Sequence, residues 1–218
     1  TWFSGIVAGP VGGNCDVVGG VEFSSVPEQE MPDHTLDYPW ESCITMTPSW
    51  CSTSVNEVVR PTHEIIHTLV SIVSRGGNYL LGIGPDATGA MSKHIVAGLA
   101  EVGAWMDINS EAIYETEPGE ASLTADPAAG IEWRYTRTTT TSYAIGLLGS
   151  ADHAPAQELH ISTPFTVAEV KLLGSHETLD WHPCDDGIRI SLPRIDARFA
   201  FTLALTPATG QDLMGAVA

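Results

Sequence analysis

The 218-residue chain carries 27 acidic against 9 basic residues, a formal charge of −18, and its only lysines are Lys93 and Lys171. That balance argues against nucleic acid or an anionic membrane surface as partner, because both need a basic footprint. Hydrophobic residues make up 43% of the chain, enough for packed cores in one domain or two small ones, and no run approaches the roughly 18 apolar residues of a membrane-spanning helix.

Residues 1–20 are apolar and Gly-rich, and Thr1-Trp2-Phe3 and Val17-Val18 read as short buried strands. They hold no basic region followed by an apolar run, so no signal peptide is read there. The next stretch, Val21–Cys51, packs Glu22, Glu28, Glu30, Asp33, Asp37 and Glu41 among Phe23, Tyr38, Trp40, Trp50 and several prolines, without a Lys or Arg. One reading is a Pro-rich surface loop whose charges are solvated. The other is a site that keeps a proton donor beside a neutral, flat-faced substrate such as a sugar. Aromatic rings bind the apolar face of a pyranose, and a carboxylic acid in a partly apolar pocket keeps its proton near neutral pH.

Residues 54–76 predict a helix. Ile65, Ile66, Leu69, Val70 and Val73 recur at three- and four-residue steps, Pro61 lies near the start, and Gly76-Gly77 closes the end. His63 and His67 are spaced for a metal, but without a third ligand they read as a solvated helix face. Tyr79–Ile83 is a continuous apolar run suited to a strand buried on both faces, and Gly84-Pro85-Asp86 turns the chain. A second helix is expected from about Ser92 to Asp107, with Ile95, Leu99, Val102 and Met106 inward. Helix, buried strand, helix is the rhythm of a parallel α/β sheet. After Glu117-Pro118-Gly119 the pattern changes to short strands: Ile131–Thr136, Ser142–Leu148, Gln157–Ile161, Val167–Leu173, Gly187–Leu192 and Phe199–Leu205. Ile188, Ile190 and Leu192 share one face at period two. The spacing of these strands argues for an antiparallel β-sandwich, and Gln211–Ala218 carries no strong signal. Cys15, Cys43, Cys51 and Cys184 show no zinc spacing; a Cys43–Cys51 pair stays open. No metal and no cofactor are expected.

Four of these segments resemble glycoside hydrolase family 29, the α-L-fucosidases. Val26-Pro27-Glu28-Gln29-Glu30-Met31-Pro32 is similar to that family's TPEQEIP segment, and Trp40-Glu41-Ser42-Cys43 to its WESC segment. Ser71–Asp86, SIVSRGGNYLLGIGPD, resembles VSRGGNLLLNIGPD, and Glu111-Ala112-Ile113-Tyr114 matches its GEAIY turn. The resemblance implies a fold class of α/β followed by all-β: a partial TIM-like (β/α) barrel over residues 1–116 and an appended antiparallel β-sandwich over 117–218. A full barrel of that type takes about 250 residues. A longer native chain that was cleaved or trimmed, a second chain or a homo-oligomer is therefore expected to supply the rest.

By the same resemblance the chain is a retaining α-L-fucosidase acting on terminal α-L-fucose of glycans, with Glu28 as general acid/base. Glu22, Glu30 and Glu41 are its rivals. Trp50 stands where the family packs an aromatic ring against the C6 methyl group of fucose, an apolar wall that disfavours a 6-hydroxyl. Glu41, Trp40 and His34 are further substrate-binding candidates. Trp181 and His182 could contact a glycan, although Trp181 reads better as packing. Trp2-Phe3-Ser4-Gly5 has the frame of the family's WFDG segment with Ser4 in place of the nucleophilic aspartate. Either that register is accidental or the nucleophile is missing from this chain. The alternative reading is a non-catalytic carbohydrate-binding remnant; a structural β-sandwich with an α/β arm is the third. No motif fixes the location, and a secreted or periplasmic one is preferred.

Overall fold

A computed structural model describes residues 15–16, 22–50, 58–119, 124–125, 131–149, 157–195 and 197–208. The expectations for residues 1–3, 17–18 and 211–218, and for Ser4, lie outside these residues. The first part of the chain forms a four-stranded sheet in the order β1 (Cys15–Asp16), β2 (Glu22–Ser25), β3 (Trp40–Thr45), β4 (Gly77–Gly82). β2, β3 and β4 run parallel, and β1 pairs antiparallel with β2. Helix α1 (Thr62–Val73) joins β3 to β4, and α2 (Lys93–Asn109) follows β4.

The helices begin and end for local reasons. α1 starts at Pro61, later than its periodicity suggests; residues 58–60 are not helical and 51–57 lie outside the described residues. It ends at Val73, three residues before the expected bound, and the closing glycine is the expected one. Gly76, at φ 79°, takes the left-handed conformation, and its N–H reaches back to the Val73 carbonyl at 2.9 Å. α2 is capped by Ser92, whose hydroxyl accepts the Ile95 N–H at 3.3 Å. It runs two residues beyond the expected end, and Trp105 is its largest buried side chain.

β3 and β4 show how one face was chosen. Trp40, Ser42 and Ile44 point to the helices and are buried; Glu41 and Cys43, on the opposite face, are half-buried. In β4 the partners of the second set, Asn78 and Leu80, are exposed. The apolar run at Tyr79–Ile83 is thus covered on one face only among the described residues, which corrects the expectation of a doubly buried strand. Gly77 is required by packing: a Cβ there would lie 2.4 Å from the Trp40 ring.

The second part consists of two antiparallel sheets. One is five-stranded, ordered β10 (Val167–Leu172), β13 (Ala200–Pro207), β8 (Ser142–Leu148), β7 (Ile131–Arg137), β5 (Glu117–Pro118). The other is ordered β11 (Asp180–Cys184), β12 (Gly187–Leu192), β9 (Gln157–Ser162), β6 (Thr124–Ala125). Leu159, Ile161, Ile188, Ile190 and Leu192 of the second sheet meet Ala144, Leu148, Phe201, Leu203 and Leu205 of the first in one core. This is the two-layer packing expected of a β-sandwich. The six expected strands are all present; β5, β6 and β11 are additional.

The outer face of the five-stranded sheet carries the helices. Tyr143, Ile145 and Leu147 of β8 and Ala200 and Ala204 of β13 pack with Ile66, Val70, Trp105 and Ile113. α1 therefore has two apolar faces, Ile65 and Ile72 toward β3 and β4 and Ile66 and Val70 toward the sandwich. Polar ties accompany the packing. Trp105 Nε1–H donates to the Ala200 carbonyl at 2.9 Å, and Thr136 Oγ1–H to the Ala112 carbonyl at 2.7 Å. His67 Nε2–H donates to the Phe199 carbonyl at 2.9 Å. The His63–His67 pair is edge-to-face at 5.9 Å; His67 serves the interface and is not the solvated residue its spacing suggested.

Candidate active site

Glu28 follows the carboxyl end of β2 and Trp50 that of β3, where a parallel α/β sheet offers its loops, while Glu41 is the second residue of β3 and pairs with the last residue of β2. After β2 the chain turns through Pro27–Glu30, with the Glu30 N–H bonded to the Pro27 carbonyl at 3.2 Å. Gln29 sits in this turn at φ 65°, a conformation that costs a non-glycine residue about 1–3 kcal/mol. Its bonds to β3 hold it there. The Gln29 N–H donates to the Cys43 carbonyl at 3.0 Å, its Nε2 to Thr45 Oγ1 at 3.1 Å, and its Oε1 accepts the Thr45 N–H at 3.3 Å. Ser42 Oγ–H donates to the Glu30 carbonyl. Before Glu28 the Val26 N–H donates to the Glu41 carbonyl at 3.2 Å, so the turn is fastened on both sides of Glu28, whose exposed side chain is presented from a fixed backbone.

Glu41 and Cys43 project from β3 on the face away from the helices. Burial pushes the Cys43 thiol above its ordinary pKa, and the negative charges of Glu41 and Glu28 push it the same way. Glu28 on its turn is thus near enough to β3 for its charge to act on the thiol, as that of Glu41 does. Cys43 is a free thiol. Trp50 is 45% exposed, and its ring edge lies 3.2 Å from where a Cβ on Gly82 would stand. It therefore flanks the C-terminal end of β4, on the side that also carries Thr45. Arg60 reaches the same strand end from the start of α1, donating from Nε to the Thr45 carbonyl at 3.3 Å.

Among the described residues Glu28 on its turn, Glu41 on the face of β3 away from the helices and Trp50 beside Gly82 stay outside the core, and Trp40 does not. Trp40 is 0% exposed, packs with Ile44 and Ile72, and donates from Nε1 to the Arg75 carbonyl at 3.3 Å. That is a core residue with no surface left for a sugar, which corrects its reading as a substrate contact. His34 is exposed and bonded through Nδ1 to Asp33 at 2.6 Å; this bond is the main cause of Asp33's lowered pKa. Glu30 is exposed, and Glu22 lies in β2. Gln29 was missed in the sequence. Its only signal was its place between the two glutamates of the PEQE segment. A cavity of about 500 Å³ lies elsewhere, between α2 and the start of β13, lined by Trp105, Asn109, Leu172, Arg198 and Phe199 among others.

Known proteins resemble this chain in sequence and in fold. The family model described as Alpha-L-fucosidase matches residues 11–111. The tissue alpha-L-fucosidase of Homo sapiens is 35% identical over 191 residues, which cover 82% of this chain and 38% of that protein. The plasma alpha-L-fucosidase of Pongo abelii is 30% identical over 199 residues, covering 84% and 41%. Among solved structures, alpha-L-fucosidase isoenzyme 1 from Paenibacillus thiaminolyticus superposes with a TM-score of 0.68 at 27% identity, over 85% of this chain and 45% of that one. The alpha-L-fucosidase from Vibrio sp. strain EJY3 gives 0.67 at 25% identity, over 86% and 33%. The chain thus spans about two fifths of the length of the curated relatives it matches. With its four motifs in order and the fold shared, the chain belongs to the α-L-fucosidase family, glycoside hydrolase family 29.

Proposed function

We propose that this chain carries the acid/base side of a retaining α-L-fucosidase site. It would act on terminal α-L-fucose of glycans by double displacement. Glu28 protonates the leaving oxygen in the first step and activates water in the second, as a retaining mechanism requires. Trp50 supplies the apolar wall for the sugar's C6 methyl group. Glu41 and His34 bond to sugar hydroxyls. The observation that carries this reading is the fastening of the Glu28 turn to β3 by Gln29 and Ser42. A catalytic group must be held within a fraction of an ångström, and hydrogen bonds from a strand do that.

In this reading residues 1–116 are the C-terminal part of a TIM-like catalytic barrel and residues 117–218 its β-sandwich. The open face of β3 and β4 then lines the barrel interior. The strands that close the barrel, and the nucleophilic carboxylate, come from further residues of a longer chain, from a second chain, or from another copy in a homo-oligomer. Ser4, in the frame of the nucleophile's segment, favours the alternative of a non-catalytic fucose-binding remnant.

Hydrolysis of an aryl α-L-fucoside by the chain, with Glu28→Gln beside it, separates these readings. Loss of about 10²–10⁴-fold in rate on Glu28→Gln supports the acid/base role. Fucose binding without turnover supports the remnant or an incomplete site. Turnover unchanged by Glu28→Gln overturns the assignment of Glu28.

A further inference from the structure

The end of the β11–β12 hairpin holds a group that the fucosidase reading does not use. We propose that His160, Cys184 and Asp186 form a binding site for a divalent metal of the zinc class, on the outer sheet of the sandwich. The three donor atoms lie within 4.8 Å of one another. His160 Nε2 is 2.9 Å from Asp186 Oδ1, and Cys184 Sγ is 3.8 Å from the same oxygen. Tetrahedral zinc, with bonds of about 2.0 Å to N or O and 2.3 Å to S, spaces neighbouring ligand atoms by about 3.3–3.7 Å. The trio therefore needs only a small side-chain adjustment to surround an ion. A nitrogen, a thiolate and a carboxylate are also the donor set that zinc and cobalt take up.

The surroundings are built for the purpose. Asp186 is oriented by Ser162, whose hydroxyl donates to Oδ2 at 3.0 Å, leaving Oδ1 directed at His160 and Cys184. The Thr163 N–H donates to the Asp186 carbonyl at 3.1 Å and holds the turn backbone. Cys184, Gly187 and Ser162 stand in one row across the sheet, and Gly187 keeps that row tight: a Cβ there would lie 2.0 Å from the Ile161 carbonyl oxygen. Arg189, paired across the strand with His160, has its guanidinium turned to Glu158 at 3.8 Å. Three ligands leave a fourth position for water. The site lies on the sheet that does not carry the helices, away from Glu28, so its role is to pin the hairpin to β9 and not to take part in glycoside cleavage.

Cobalt(II) titration of the reduced chain tests the site. The expected result is one cobalt per chain, with a thiolate-to-metal charge-transfer band that zinc abolishes by displacement. Binding releases the thiol proton of Cys184. Cys184→Ser removes the band, Asp186→Asn and His160→Ala weaken cobalt binding at least tenfold, and Cys43→Ser leaves it intact. Absence of the band at millimolar cobalt overturns the proposal. So does a band that survives Cys184→Ser, which would assign the thiolate to Cys15, Cys43 or Cys51.

Discussion

β8 and β4 are both short apolar runs in the interiors of their sequence neighbourhoods, and they meet opposite fates. β8 is buried along its whole length because two different layers cover it: the second sheet takes Ala144 and Leu148, the helices take Tyr143, Ile145 and Leu147. β4 packs Tyr79 and Leu81 against the helices, while Leu80 on the other face is 37% exposed. An apolar run states that cover is wanted on both sides. Which part of the chain supplies it is a matter of topology. In β8 the cover comes from an antiparallel sheet that closes into a sandwich; in β4 the equivalent face is the one that bears Glu41 and Trp50.

The contrast can be tested by truncation. Trp105→Ala empties the space between α2 and β13 and removes the bond to Ala200; a loss of about 3–5 kcal/mol is expected in urea unfolding. Leu203→Ala, 0% exposed between the two sheets, should cost about 2–5 kcal/mol. Gly77→Ala drives a methyl group into Trp40 and should cost about 1–3 kcal/mol. An unchanged midpoint there would mean that the Trp40 ring is not held as described. Leu80→Ala should stay within about 0.5 kcal/mol, because its side is open. A loss as large as that of Leu203→Ala would show that β4 is covered in solution, and the comparison with β8 would collapse.

Tyr79 sharpens the same point through pH. Burial pushes its phenol up to about 12, and its hydroxyl has no hydrogen-bond partner among the described residues. The unfolded chain releases this proton near pH 10. Stability from this group is therefore complete below pH 10 and falls as pH rises from about 10 to 12. Tyr79→Phe should remove that part of the alkaline fall and leave neutral-pH stability equal or up to about 1 kcal/mol higher. Unfolding curves of both proteins at pH 7 and 11 decide it.

Much of the fold was legible. The sandwich strands carry period-two faces such as Ile188, Ile190 and Leu192, and the helices carry their stripes and stops. β3 was hidden because Trp40–Thr45 mixes a charge and small polar groups within a Pro-rich stretch. β11 was hidden because Asp180–Cys184 contains Pro183, which a sheet tolerates only where no ladder bond is needed; β11 is an edge strand. The carboxylates and aromatics of the candidate site could be picked out by type. Their sorting could not. Trp40 and Trp50 look alike in composition, yet strand alternation sends one into the core while the other comes to rest against Gly82. His67 was misread for a similar reason, since its partner carbonyl lies 132 residues away in sequence.

The His67 bond bears on how the two halves respond to acid. A carbonyl oxygen asks only for a donor. An imidazole supplies N–H from Nε2 both as the neutral tautomer present here and as the imidazolium. Either form can make this latch between α1 and the Phe199 carbonyl, and the Trp105 bond to Ala200 carries no titrating group at all. These two bonds across the seam need no carboxylate, whereas a third tie at the same seam, the ion pair of Glu101 on α2 with Arg198 at 3.5 Å, does.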